Sequence, residues 1–110
     1  MAVKSLVPEA FGPLQGVRII STGTLIAQPF AGQLAAEMGA EVIQIERPGG
    51  GDAGWRTLGI SLPSCTGGAP VATNWIQERR NVLCVTLDLS KPRGRDLFLK
   101  MIPSCETTKT

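Results

Sequence analysis

GVRIISTGTLIAQPFAGQLAAEMGAEVIQIE, residues 16–46, decides how this 110-residue chain is to be read. Its first seven residues, GVRIIST, cluster β-branched side chains between Gly16 and Gly23, the pattern of a short buried strand. AQPFAGQLAAEMGAE then carries helix signals at both ends. Pro29 suits a first turn, where its missing N–H is not needed, and Gly39 is placed to stop the helix. Phe30, Leu34 and Met38 recur every four residues as one apolar stripe, while Ala31, Gly32, Ala35 and Ala36 keep the remaining surface small enough to lie close against a sheet. Glu41 to Glu46 supplies a second strand through Val42, Ile43 and Ile45. Strand, helix, strand in about thirty residues predicts a βαβ unit with parallel strands and a right-handed crossover, hence an α/β fold.

Outward from this unit the signals weaken. Residues 1–13 contain Pro8, Gly12 and Pro13 with no sustained period and are expected to form an N-terminal arm, with the folded body over 14–110. Arg47 to Thr73 is rich in Gly, Pro, Ser and Thr and is longer than most structureless connections, which points to a functional loop or one completed by a partner. Asn81 to Leu87, NVLCVTL, predicts a third strand, and Lys91-Pro92-Arg93-Gly94 leads into a helix carrying Leu97, Phe98, Leu99 and Met101.

Composition narrows the function classes. Eleven basic against nine acidic residues and 43% hydrophobic residues describe an ordinary globular protein, with no polybasic surface for nucleic acid. Apolar runs are far shorter than the ~20 residues that span a bilayer, and MAVKSLVPEAFGP lacks the long apolar stretch of a secretion signal. The expectation is a cytoplasmic protein without a membrane partner. Cys65, Cys84 and Cys105 are odd in number and widely spaced, so neither a disulfide framework nor a zinc site is indicated, and no metal is expected. With no histidine, a Ser-His-Asp or Cys-His arrangement within these residues is impossible.

Two loops are placed for chemistry. TGTLIAQP follows the first strand at its carboxyl end, where open parallel sheets bind ligands and helix N-terminal amides face the crevice. Its spacing matches neither G-x-G-x-x-G nor a P-loop, so a plain strand-to-helix turn is the commoner alternative. Arg47 ends the second strand beside the same crevice, and its guanidinium can fork onto a phosphate. Gly49, Gly50 and Gly51 permit close backbone approach, and Asp52 can cap or brace the loop. The alternative is that Arg47 pairs with Glu46 or another surface carboxylate and the glycines are only a mobile linker. Arg79 and Arg80, at the entrance to the third strand, either reach a second phosphate or are simply solvated, the commoner case. Trp55 and Trp75 flank the long loop and suit packing more than ligand stacking.

Taken together, FGPLQGVRII, the P-F-A-G-Q-L run, the G-A-E-V-I-x-I-E-R-P-G-x-G-D block from Gly39 to Asp52 and the L-D-L-x-x-P-x-G-R block from Leu87 to Arg95 resemble the opening of the class III CoA-transferases, the CaiB/BaiF family. The resemblance implies the N-terminal part of a Rossmann-like parallel-sheet domain, truncated, from an interlocked dimer. It implies transfer of coenzyme A from an acyl-CoA to a carboxylic acid through an aspartate nucleophile, with no metal. By position, Arg47 resembles the arginine at the CoA phosphates, Leu25-Ile26-Ala27 the loop near the reacting thioester, and Leu87 a position along the adenine-pantetheine groove. Arg79 and Arg80 fall in the basic segment before the third strand. The family's nucleophile falls beyond residue 110, and Asp52, Asp88 and Asp96 do not match it. Ile26 and Arg93 stand where relatives commonly carry glutamine and glutamate. FGPL, PFAGQ and ERRN lean toward carnitine- and arylsuccinate-type members. The implied partners are a CoA thioester, a small carboxylic acid, and a second copy or a related subunit; the rival expectations are a non-catalytic CoA-binding or assembly subunit and an inactive truncated fragment.

Overall fold

The computed structural model describes residues 11–105. Most of the expected N-terminal arm lies outside the described residues. Phe11–Pro13 enter a turn that docks on the end of the first helix, where the Leu14 amide donates to the Met38 carbonyl at 2.9 Å.

The βαβ unit forms as its sequence predicts. Strand β1 (Arg18–Ser21) leads to helix α1 (Ala27–Glu37) and strand β2 (Glu41–Glu46). The third parallel strand, β5 (Val82–Thr86), pairs with β2, so the sheet order is β1-β2-β5 with β2 central. Gly39 ends α1 at φ +102°, and a Cβ there would strike the Phe11 carbonyl oxygen, so the turn needs glycine.

The structure decides which face of α1 meets the sheet. Pro29, Gly32, Gln33 and Ala36 are buried, whereas Phe30, Leu34 and Met38 are exposed. Small residues win because the helix must approach the pleated surface closely: a Cβ on Gly32 would stand 3.3 Å from Val42 Cγ1. The apolar core is compact, with Ala36, Ala40 and Val42 buried against Leu14, Val17, Ile19, Ala35 and Val82. Full burial of Val42 contributes about 1.5–3 kcal/mol. On the opposite face the row Ile20, Ile43 and Leu83 is half-buried.

The long connection read as a functional or partner-completed loop holds three elements of its own. After the glycine run come helix α2 (Ala53–Thr57) and a short antiparallel hairpin of β3 (Ser61–Leu62) and β4 (Val71–Ala72). Helix α3 (Thr73–Glu78) then packs on α2 and α1. Asp52 is the reason α2 starts where it does: its carboxylate accepts the Trp55 amide at 3.3 Å as an N-cap. Helix α4 (Pro92–Met101), with Pro92 at its start, and a short 3-10 turn (Ile102–Ser104) complete the described residues. Among these residues no helix is long and apolar enough to cross a membrane.

Candidate functional site

Strand alternation makes the α1-facing surface of the sheet change character along its length. In register across the strands, Ile19, Val42 and Val82 form an apolar row near the amino ends, and Ser21, Gln44 and Cys84 form the next row on that face. Glu46 and Thr86 follow at the carboxyl end. Ser21, Gln44 and Glu46 are all buried. The Gln44 amide ties the floor to the loop above it, donating to the Gly23 carbonyl at 2.9 Å.

Over this polar floor lies a cleft of about 410 Å³, lined by Thr22 and Thr24 after β1, Gln44 to Arg47 and Gly51-Asp52 from β2 and its loop, and Leu87 to Ser90 after β5. It occupies the carboxyl end of the parallel strands, the expected ligand position in an open α/β sheet. Asp88 shapes the far wall by accepting the Ser90 amide and hydroxyl at 3.0 and 2.6 Å, and these bonds hold its carboxyl below the ordinary range.

Arg47 stands exposed on the cleft lip and forms no salt bridge among the described residues. The pairing with Glu46 considered from sequence is not made. Glu46 turns inward instead, where Arg56 clasps both of its oxygens at 2.9 and 2.5 Å and the Asp52 amide donates at 3.1 Å. Burial pushes the Glu46 carboxyl upward, but the Arg56 and Asp52 hydrogen bonds and the Arg56 and Arg79 charges outweigh it, leaving the group below its ordinary range. Arg56 also lies over the Trp75 ring, 3.7 Å from its centre.

Leu87 lines the same cleft as Arg47, so those two predicted residues come together. Leu25, Ile26 and Ala27 follow Thr24 but do not line the cleft; Ile26 is the exposed N-cap position of α1 and Leu25 lies in the left-handed region at φ +63°. The basic pair divides. Arg79 is not solvated, as the commoner case had it: its side chain is 3% exposed, 3.6 Å from the Asp52 carboxylate, and it donates to the Pro29 carbonyl at 3.2 Å. Arg80 pairs with Glu37 at 2.7 Å at the other end of α1. Neither lines the cleft.

Gln44, Arg56 and the structural role of Glu46 were not assigned from the sequence. Gln44 and Glu46 were accessible, because period two places them on the same face as Val42. Arg56 gave no local signal, since its partner is ten residues away across a loop. Among the described residues no group of three His, Cys, Asp or Glu side chains is placed to hold a metal ion.

The sequence matches the model of CoA-transferase family III over residues 14–107. It is 40% identical over 90 residues, 82% of the chain, to the alpha subunit of succinyl-CoA–L-malate CoA-transferase from Chloroflexus aurantiacus, covering 20% of that protein. It is 41% identical over 100 residues, 89% of the chain, to L-carnitine CoA-transferase from Proteus mirabilis, again covering 20%. A CaiB/BaiF family protein from Brucella suis superimposes with a TM-score of 0.75 at 27% identity, over 86% of this chain and 24% of that one. The chain thus spans about a fifth of the length of the curated relatives it matches. Matched across nearly all of its described strands and helices, and carrying its cleft within the matched region, the chain belongs to CoA-transferase family III.

Proposed function

We propose that this chain supplies the coenzyme A-binding portion of a CoA-transferase that moves CoA from an acyl-CoA to a small carboxylic acid. The observation that carries this reading is Arg47: an exposed guanidinium without a salt-bridge partner among the described residues, on the lip of a cleft at the carboxyl end of a parallel sheet. Arg47 takes a CoA phosphate, Leu87 lines the groove, and Leu25, Ile26 and Ala27 lie toward the thioester. Arg79 acts indirectly through its charge beside Asp52, and Arg80, paired with Glu37, stays outside the cleft.

The cleft carboxylates have structural work. Glu46 is clasped by Arg56, Asp52 caps α2 beside Arg79, and Asp88 is held by Ser90. By the family resemblance none of the three matches the nucleophile in position, and on this reading the chain by itself binds CoA without turnover. The Rossmann-like assignment, a cytoplasmic setting and a carnitine- or arylsuccinate-like acceptor belong to the same reading. Relatives named for L-malate and L-carnitine support an acid of that size. A second reading, a binding subunit working beside an unlike chain, is favoured by equal 40% identity to the alpha and beta subunits of the Chloroflexus transferase.

The test is calorimetric titration of the 110-residue chain with CoA at two salt concentrations, with circular dichroism to verify folding. Binding that weakens with salt, and that Arg47→Ala weakens by about 1.5–3 kcal/mol, the scale of a charge-assisted bond, is the expected result. A folded chain that binds no CoA, or binds equally well without Arg47, refutes the phosphate assignment.

A further inference from the structure

The loop that presents Arg47 is built around a buried charge. Glu46, whose side chain is 4% exposed, immediately precedes Arg47 and turns to the opposite side of the strand. Its carboxylate accepts from Arg56 Nε, Arg56 Nη2 and the Asp52 amide, so it bridges the start of the glycine loop to the far end. Within the loop the Gly51 amide donates to the Arg47 carbonyl at 3.2 Å, closing a turn directly on the phosphate-binding candidate. The buried Arg79 guanidinium lies 3.6 Å from the Asp52 carboxylate and donates to the Pro29 carbonyl in the first turn of α1.

Three consecutive glycines would otherwise sample many conformations, and a ligand would have to offset that freedom on binding. From this geometry we infer that Glu46 is a positioning residue for ligand binding: through Arg56 and the Asp52 amide it sets the shape of the Arg47–Gly51 loop before CoA arrives. The inference rests on the assignment of Arg47 to a CoA phosphate. Glu46 stands in the cleft wall, but both of its carboxylate oxygens are engaged by Arg56 and the Asp52 amide, so it acts through the loop.

A double-mutant cycle separates this role from general stabilisation. CoA affinity of the 110-residue chain is measured calorimetrically for the parent, Glu46→Gln, Arg47→Ala and the double variant, and exchange of the Gly51 and Asp52 amides is followed by NMR. Glu46→Gln should weaken binding about tenfold when Arg47 is present and less than about twofold when it is absent, because coupled residues are not additive. Gly51 and Asp52 exchange should accelerate in the same variant while Val42 and Ile43 remain protected. Equal losses in both backgrounds, or none in either, overturn the inference while leaving the Arg47 assignment standing. If Arg47→Ala alone leaves affinity unchanged, or the parent binds no CoA, the phosphate assignment fails; unchanged Gly51 and Asp52 protection in Glu46→Gln then overturns the bracing itself, and faster exchange supports it. Should Glu46→Gln not fold, Arg56→Lys, which keeps the charge but loses the fork on a half-exposed side chain, carries the same cycle with the same outcomes.

Discussion

Gly51→Ala tests the buried clasp without replacing any charged residue. Gly51 has φ +64°, a left-handed conformation that costs a non-glycine residue about 1–2 kcal/mol. Its added Cβ would stand 2.5 Å from Arg56 Nε and 2.8 Å from Glu46 Oε1, closer than side-chain atoms pack. Glu46 is buried and cannot retreat, so Arg56, more than a third exposed, must swing out and surrender its fork, a charge-assisted contact worth about 1.5–3 kcal/mol. The expected destabilisation is about 2.5–5 kcal/mol, a large part of the stability of a small domain. Gly50→Ala is the control, since Gly50 has neither positive φ nor any atom within 4 Å of the new Cβ, and it should change stability by less than about 1 kcal/mol. Urea unfolding followed by fluorescence of Trp55 and Trp75, with circular dichroism as a second probe, reads both values. Equal midpoints for the two variants would refute the claim that Gly51 is glycine because of the clasp.

Acid should weaken the fold through Glu46. Its carboxyl lies below its ordinary range when folded, so its contribution is present above the unfolded carboxylate range and is lost as pH falls through the folded value. Urea midpoints for Glu46→Gln should therefore start lower at neutral pH and converge toward the parent in acid; parallel curves would remove Glu46 from the acid response. The Cys84 thiol is pushed up by burial and then by the Glu46 carboxylate, despite its place on an open edge strand. Cys84 and Cys65 are both exposed, so the difference tested is the raised Cys84 thiol: at neutral pH iodoacetamide should label Cys84 more slowly than Cys65 in mass spectra, and Glu46→Gln should speed Cys84; equal rates at the two cysteines contradict this. On α1, Leu34→Ser should cost less than about 1 kcal/mol because the stripe is exposed, whereas Ala36→Leu should cost about 1–3 kcal/mol or more by overpacking against Val42. Thermal melts showing the reverse order would mean that α1 is rotated.

What local pattern determined is the βαβ frame. Clustered β-branched residues, Pro29 and Gly39 mark β1, α1 and β2 because strand alternation, a first-turn proline and a terminating glycine are decided by the few residues around them. The glycine run after β2 likewise marked the candidate ligand edge, and Arg47 and Leu87 lie there together. Residues 47–73 were obscure because two-residue strands and a five-residue helix carry too few positions to establish a period. Even so, Asp52 three residues before Trp55 was a readable cap.

Partner choice belonged to the tertiary structure. Sequence showed two faces on α1, one large and apolar, one small enough to lie against a sheet, and the close approach to Val42 decided that the small face is buried and the apolar stripe exposed. Arg47, Arg56, Arg79 and Arg80 look equivalent in a one-dimensional chain. Folding leaves the first on the cleft lip, clasps the second to Glu46, buries the third beside Asp52 and sends the fourth to Glu37. A charge's role depends on which opposite charge the fold brings within a few ångströms and how much water remains between them, and neither quantity is a property of the residue or its neighbours in sequence.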